Sequence, residues 1–167
     1  MCDPPDPHVV AILESASSLK CLTLQTDDPG ATFEPELLGS VSESATIETL
    51  CLKDFCISTN DSKDHFIIFL LAHRATLRNV ELGMDVHLEE RLWEIVATMH
   101  RKLTLESCKL STEMYRDDPT EHIVPQLRDV IRRFGGPELA IKDDESIKWR
   151  HGVALNRYIL GQPALSE

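Results

Sequence analysis

An α/β fold built from repeated strand-plus-helix units is what this sequence predicts, on three observations. Four short segments, LKCLTL (19–24), IETLCL (47–52), LRNVEL (77–82) and HRKLTL (100–105), share aliphatic residues at their fourth and sixth positions. Their fourth positions, Leu22, Leu50, Val80 and Leu103, lie 28, 30 and 23 residues apart, with helix-period stretches between them. Their intervening positions are mostly polar, as expected of a strand with one face in the core and one in water. Units of this length cannot bury an apolar face alone, so they stack. The expected architecture is a short leucine-rich-repeat-like solenoid, with parallel strands on the concave face and helices on the convex face.

The elements follow in order. Val9, Ile12, Leu13 and Ala16 make one apolar face of a first helix, after a proline-rich tail at 1–7. LKCLTLQ is the first strand, and TDDPGATFEP its polar return loop. Leu37, Leu38, Val41 and Ala45 predict a second helix, weakened by Gly39 and three serines. IETLCLKDF is the second strand. HFIIFLLAH follows several candidate N-caps and is apolar on nearly all sides, which predicts the most buried helix. LRNVELG is the third strand. Leu88, Leu92, Ile95, Val96 and Met99 then form an inward helix face, with Glu89, Glu90, Arg91 and Glu94 outward. HRKLTLESCKLS is read as the fourth strand. Leu127, Val130, Ile131 and Phe134 predict a helix stopped by Gly135-Gly136-Pro137. ELAIKD gives a fifth strand at Leu139 and Ile141. The domain reading is therefore a tail at 1–7, a solenoid of four to five repeats at 8–142, and a C-terminal cap at 143–167 carrying Val153, Leu155, Tyr158 and Ile159.

Charge and cysteine usage narrow the function classes. Seventeen Lys and Arg against 28 Asp and Glu leave a formal net charge of −11, which repels phosphate backbones and anionic lipid, so neither nucleic acid nor membrane is an expected partner. The N-terminal MCDPPDPH has no basic stretch leading into an apolar run, and Phe66 to Ala72 is too short to cross a bilayer, so the expectation is a soluble, unexported chain. Five cysteines at irregular spacing, without C-x-x-C, fit reduced thiols in cytoplasm or nucleus better than a disulfide framework or a zinc site. Asn60-Asp61-Ser62 matches a glycosylation acceptor that an unexported chain would not use.

Alternation along each strand sorts the outward residues. With Leu22 and Leu24 inside, Cys21, Thr23 and Gln25 face out; by the same operation so do Thr49, Cys51 and Lys53, then Asn79, Glu81 and Gly83, then Lys102, Thr104 and Glu106. These residues are the expected partner-binding surface. Cys108 is read as a turn residue past the fourth strand. An ordinary two-layer α/β domain is the competing fold, but its strands would be near-continuous apolar runs.

No G-x-x-x-x-G-K, G-x-G-x-x-G, G-x-S-x-G or H-E-x-x-H occurs, so no catalytic, cofactor-binding or metal-ligating set is expected and the chain is read as a non-enzyme. A thiol enzyme using Cys51 or Cys108 is the contrasting class, since a thiolate paired with an imidazole such as His65 is a nucleophile; Cys56 is a further thiol for such a site. Trp149, near Lys148, Arg150 and His151, is a candidate hot spot or a packing residue of the cap.

IETLCL with KDFCIS after it, FLLAHRATLRNVEL (69–82) and LTLESCKLS (103–111) resemble the leucine-rich-repeat region of fungal F-box-type proteins, where a helix ending in H-x-x-T-L-R leads into the next strand; His73, Thr76, Leu77 and Arg78 match that stretch. The resemblance covers roughly 7–111 and implies a substrate-binding arm of an SCF-type ubiquitin ligase, with ligase subunits among the partners. The residues before His8 are too few to hold an F-box, so a truncated relative or a stand-alone regulatory repeat protein is the alternative expectation. The expected function is a protein–protein interaction scaffold whose partner lies on the concave face.

Overall fold

The computed structural model describes residues 6–27, 32–86, 89–114, 124–135 and 144–165, with the side chains at 89, 112–114 and 144–151 outside that description. Along the chain lie α1 (Pro7–Ser15), β1 (Cys21–Leu24), a 3-10 helix (Pro35–Ser40), β2 (Thr49–Ile57), α2 (Asn60–Ala72), β3 (Asn79–Val86), α3 (Glu89–Lys102), β4 (Ser107–Met114), α4 (Pro125–Gly135) and α5 (Asp144–Ile159). Local chemistry sets several of these ends. Asp6 caps α1 by accepting from the His8 amide at 2.8 Å, with Pro7 in the first turn, where its missing N–H is no loss. Thr59 caps α2, its hydroxyl accepting from the Ser62 amide at 3.0 Å.

The four strands form one parallel sheet in sequence order, β1-β2-β3-β4. Leu22, Leu50, Val80 and Cys108 stand side by side across it, so equivalent strand positions lie 28, 30 and 28 residues apart. One backbone device recurs where successive strands begin. The Lys20 carbonyl accepts from the amides of Glu48 and Thr49 at 2.7 and 3.1 Å. The Glu48 carbonyl accepts from Arg78 and Asn79 at 2.9 and 3.1 Å, and the Arg78 carbonyl from Glu106 and Ser107 at 2.8 and 3.2 Å. Each strand entry thus ties down the next, and the polar backbone groups that a buried junction would orphan are paired.

The fourth strand begins later than the sequence pattern suggested. β4 starts at Ser107, and its core residues are Cys108 and Leu110, opposite Val80 and Leu82. Leu103 and Leu105 belong to the turn before it, where Leu103 is buried and Leu105 half-buried. The segment equivalent to IETLCL is therefore LESCKL (105–110), with Leu105 in the place of Ile47 and Leu77. Cys108 is a strand core residue, 9% exposed, and not a turn residue. A cysteine fills an inward strand position as a small hydrophobe, which is why a search for aliphatic residues passed over it.

Three further differences have physical causes. The second expected helix is only the 3-10 helix Pro35–Ser40. Leu38, Val41 and Ala45 are nevertheless all buried, so its apolar residues reach the core from a less regular backbone. β2 runs on to Ile57 through an irregularity between Leu52 and Phe55. Asp54 takes a positive φ of 61° there, a conformation Asp tolerates better than most side chains. Cys56, just past the segment IETLCLKDF read as this strand, therefore lies inside it. α2 buries Phe66, Phe69 and Leu70 but leaves Ile68 64% exposed, so it is not covered all round. The fifth strand expected at ELAIKD lies outside the described residues.

The core lies between the inward sheet face and the helices. Ile47, Leu50, Leu52, Phe55, Ile57 and Phe66 are fully buried, with the Phe55 and Phe66 rings 5.1 Å apart. Each such side chain stabilises the fold by about 1.5–3 kcal/mol relative to exposure. α5 runs along the far edge of β4. Its Asn156 side-chain oxygen accepts from the Leu110 amide at 2.9 Å, and at Gly152 a Cβ would come within 2.6 Å of the Leu110 carbonyl oxygen. The glycine therefore lets the helix press against strand backbone.

Candidate functional site

The outward face of the sheet is where the sequence placed a partner, and it is built by strand alternation. Leu22, Leu50, Leu52, Val80, Leu82 and Leu110 point into the core, which turns the residues between them to the other side. In register across that side run Cys21, Thr49, Asn79 and Ser107, then Thr23, Cys51, Glu81 and Lys109, with Gly83 beside Ser111 further along. All of these are exposed or half-buried, and no described helix is layered over them.

Electrostatics give the face its character. The Glu81 carboxylate accepts from Lys109 Nζ at 3.2 Å and stands 3.7 Å from Lys53 Nζ, so one acid is shared by two ammonium groups from the strands on either side. Ser107 donates to Asn79 Oδ1 at 2.8 Å. At the rim Lys20 pairs with Glu48 at 3.0 Å. The Lys53–Glu81–Lys109 row thus carries one surplus positive charge on a chain of net −11, and Asp85, in phase with Glu81 further along β3, sets a negative charge on the same face. Lysines of this exposure reach a partner without a large desolvation cost.

The predicted surface residues fall into three groups. Cys21, Thr23, Thr49, Cys51, Asn79 and Glu81 stand together in the two central rows. Gln25 lies just past the end of β1, exposed, and Lys53 stands at the β2 irregularity, half-buried and still beside Glu81. Lys102, Thr104 and Glu106 are displaced from the sheet. Lys102 ends α3 on the helical side, and Thr104 and Glu106 lie in the exposed turn before β4. Their places are taken by Ser107, Lys109 and Ser111. The signal that could have found these three is the spacing: 28 residues beyond Val80 is Cys108, whereas Leu103 required a repeat of 23.

Among the described residues the thiols do not gather into a reactive centre. Burial pushes the Cys108 thiol up to about 12. Burial first, and the Glu81 carboxylate second, hold the Cys51 thiol above its ordinary value. A raised pKa disfavours the thiolate, which is the nucleophile and metal ligand. His65 faces Glu36, 3.5 Å away on the helical side, and is not brought to Cys51 on the sheet's outward face. Cys21, Cys51 and Cys108 are in no disulfide, and the described residues contain no group of three His, Cys, Asp or Glu arranged to hold a metal ion. Trp149 lies in α5, with its side chain outside the described residues.

The H-x-x-T-L-R stretch has a clear structural job. Thr76 Oγ1 donates to the Ile47 carbonyl at 2.8 Å, bridging the entries of β2 and β3. Arg78 folds its guanidinium back onto the carbonyls of Leu77 and Ala75 at 3.0 and 2.9 Å. His73 packs tilted against Phe69 with centroids 4.6 Å apart, and burial lowers its pKa, which keeps the ring neutral. These residues fasten one unit to the next and leave little of themselves for a ligand.

No helix among the described residues is long and apolar enough to cross a membrane. No protein-family model matches the chain, and neither a curated protein nor a solved structure matches it.

Proposed function

We propose that the chain is a leucine-rich-repeat-like scaffold that binds another protein on the outward face of its sheet. The near-equal spacing of the four strands and the recurring carbonyl-to-two-amides junction support the solenoid reading. The observation that carries the binding reading is the Lys53–Glu81–Lys109 row, a charged and solvent-facing set on a sheet face with no described helix over it. Its two lysines favour a partner that presents acidic side chains. The narrower version, a substrate-binding arm in the ubiquitin pathway, acting in cytoplasm or nucleus, rests on the His73–Arg78 stretch and on unpaired cysteines. Because that stretch works as a repeat junction, it supports architecture more strongly than it supports ubiquitin chemistry.

Affinity capture with the immobilised chain tests the reading. Lys53→Glu combined with Lys109→Glu is expected to weaken capture of the main partner by at least about tenfold while circular dichroism stays unchanged. Undiminished capture would remove the sheet face from consideration. Recovery of cullin and adaptor subunits with the wild-type chain would support the ubiquitin version, and their consistent absence would end it.

A further inference from the structure

On the opposite side of the molecule, α2 and α3 lie side by side with a mismatch between sequence and cover. Ile68 is 64% exposed, and Ile67 and Leu71 are half-buried. Between the helices lies an open cavity of about 310 Å³, lined by the apolar side chains of Ile67, Leu71, Trp93 and Ala97 and flanked by Glu94, Arg101 and Lys102. A helix apolar on nearly all sides is ordinarily enclosed. Here one stripe is left to solvent.

The charges around that stripe are ordered. Arg91 Nε donates to Asn60 Oδ1, and Lys63 bonds Glu94, both across 31 residues, so the helices run parallel at the same height. At their N-terminal end Lys63 pairs with both Asp64 and Glu94, while the exposed acids Asp61 on α2 and Glu90 on α3 make no ion pair with the described residues. At the C-terminal end Arg101 and Lys102 on α3 and Arg74 just past α2 are exposed and make no ion pair with the described residues. Ile68 and Ala97 lie near the middle of the gradient on the two helices.

A surface that is acidic at one end, apolar in the middle and basic at the other is complementary to itself after a half-turn about an axis through its centre. We propose that a second copy of this chain docks here, its α2 and α3 antiparallel to the first pair. Arg101 and Lys102 of each copy meet the acidic end of the other, and Ile68 and Leu71 are covered at the centre. Two helices of 13 and 14 residues make a patch only about 20 Å long and about 20 Å wide, smaller than a standard interface, so the dimer is weak and exchanges readily. The partner proposed for the sheet face is unaffected, because the two surfaces lie on opposite sides of the core.

Sedimentation equilibrium of the chain up to several hundred micromolar tests this. The wild-type chain is expected to dimerise reversibly, and less tightly as salt is raised. Arg101→Glu with Lys102→Glu is expected to weaken the dimer at least about tenfold, and so is Asp61→Lys with Glu90→Lys; mixing the two variants restores association as a heterodimer. All four side chains are exposed, and matching thermal melts would show that folding is intact. A chain that stays monomeric throughout overturns the proposal. So does a dimer that survives both charge reversals, or one lost instead to Lys53→Glu with Lys109→Glu.

Discussion

The two edges of the sheet are finished differently. At the far edge, α5 lies against β4, gives its Asn156 oxygen to the Leu110 amide and brings Gly152 up to the Leu110 carbonyl. At the near edge, β1 is four residues long, and among the described residues only β2 pairs with it. Parallel strands leave unpaired amides and carbonyls on an outer edge, and a sheet must cover that edge or keep it short. The chain does the first at β4 and the second at β1. The two edge strands also use their cysteines oppositely: Cys21 points to solvent and Cys108 into the core.

The sharpest way to break the covered edge is to add volume at Gly152. Gly152→Val places side-chain atoms where even a Cβ stands 2.6 Å from a backbone oxygen, and strand backbone cannot move aside as a flexible side chain can. The expected loss is about 2–4 kcal/mol in urea unfolding, with faster amide exchange in β4. Gly83→Ala is the control, because its nearest contact would be an ordinary 3.6 Å and the expected change is within about 1 kcal/mol. Equal effects at both glycines would mean that α5 does not press on the strand.

The cysteine contrast gives the next largest effect. An unfolded Cys108 ionises near pH 9.0, and the folded one only near 12. Between these values the unfolded chain releases a proton that the folded chain keeps, so this residue's contribution to stability falls as pH rises. The slope is about 1.4 kcal/mol per pH unit. Between pH 9 and 10.5 the wild-type chain is therefore expected to lose about 2 kcal/mol more than Cys108→Val does, while Cys21→Ser changes the slope little. Parallel alkaline curves for wild type and Cys108→Val would place that thiol in water.

The sequence made half of this legible, and the reasons differ from element to element. β1, β2 and β3 could be read because Leu22/Leu24, Leu50/Leu52 and Val80/Leu82 alternate with polar residues, and alternation directly encodes which face is buried. From them followed Cys21, Thr23, Thr49, Cys51, Asn79 and Glu81 as neighbours on one surface. β4 was misplaced because burial depends on volume and polarity, which cysteine satisfies as well as leucine. The exposed stripe on α2 had no local signal, since an apolar helix announces that it needs cover but not whether its own chain provides it. The Asp54 irregularity depends on pairing with a strand some 30 residues away. Gly152 did carry a signal, because a glycine inside WRHGVALNR costs a helix about 1 kcal/mol and so asks for a packing reason.

A smaller test separates the polar part of the edge cover from its shape. Asn156→Ala removes the acceptor from the Leu110 amide without adding volume, leaving the donor to find water at the edge or to go without. If α5 excludes water there, the loss is about 1–3 kcal/mol. If water enters in place of the side chain, it falls below about 0.5 kcal/mol. The first outcome is expected, because Leu110 is only 5% exposed and Ala154 and Leu155 on the same helix are fully buried. Asn156→Asp sharpens the answer: it keeps an acceptor for the amide but places a charge against the strand, so it should recover stability relative to alanine only if that charge reaches solvent. Protection of the Leu110 amide from exchange, lost in Asn156→Ala and regained in Asn156→Asp, would show that one hydrogen bond holds this edge shut.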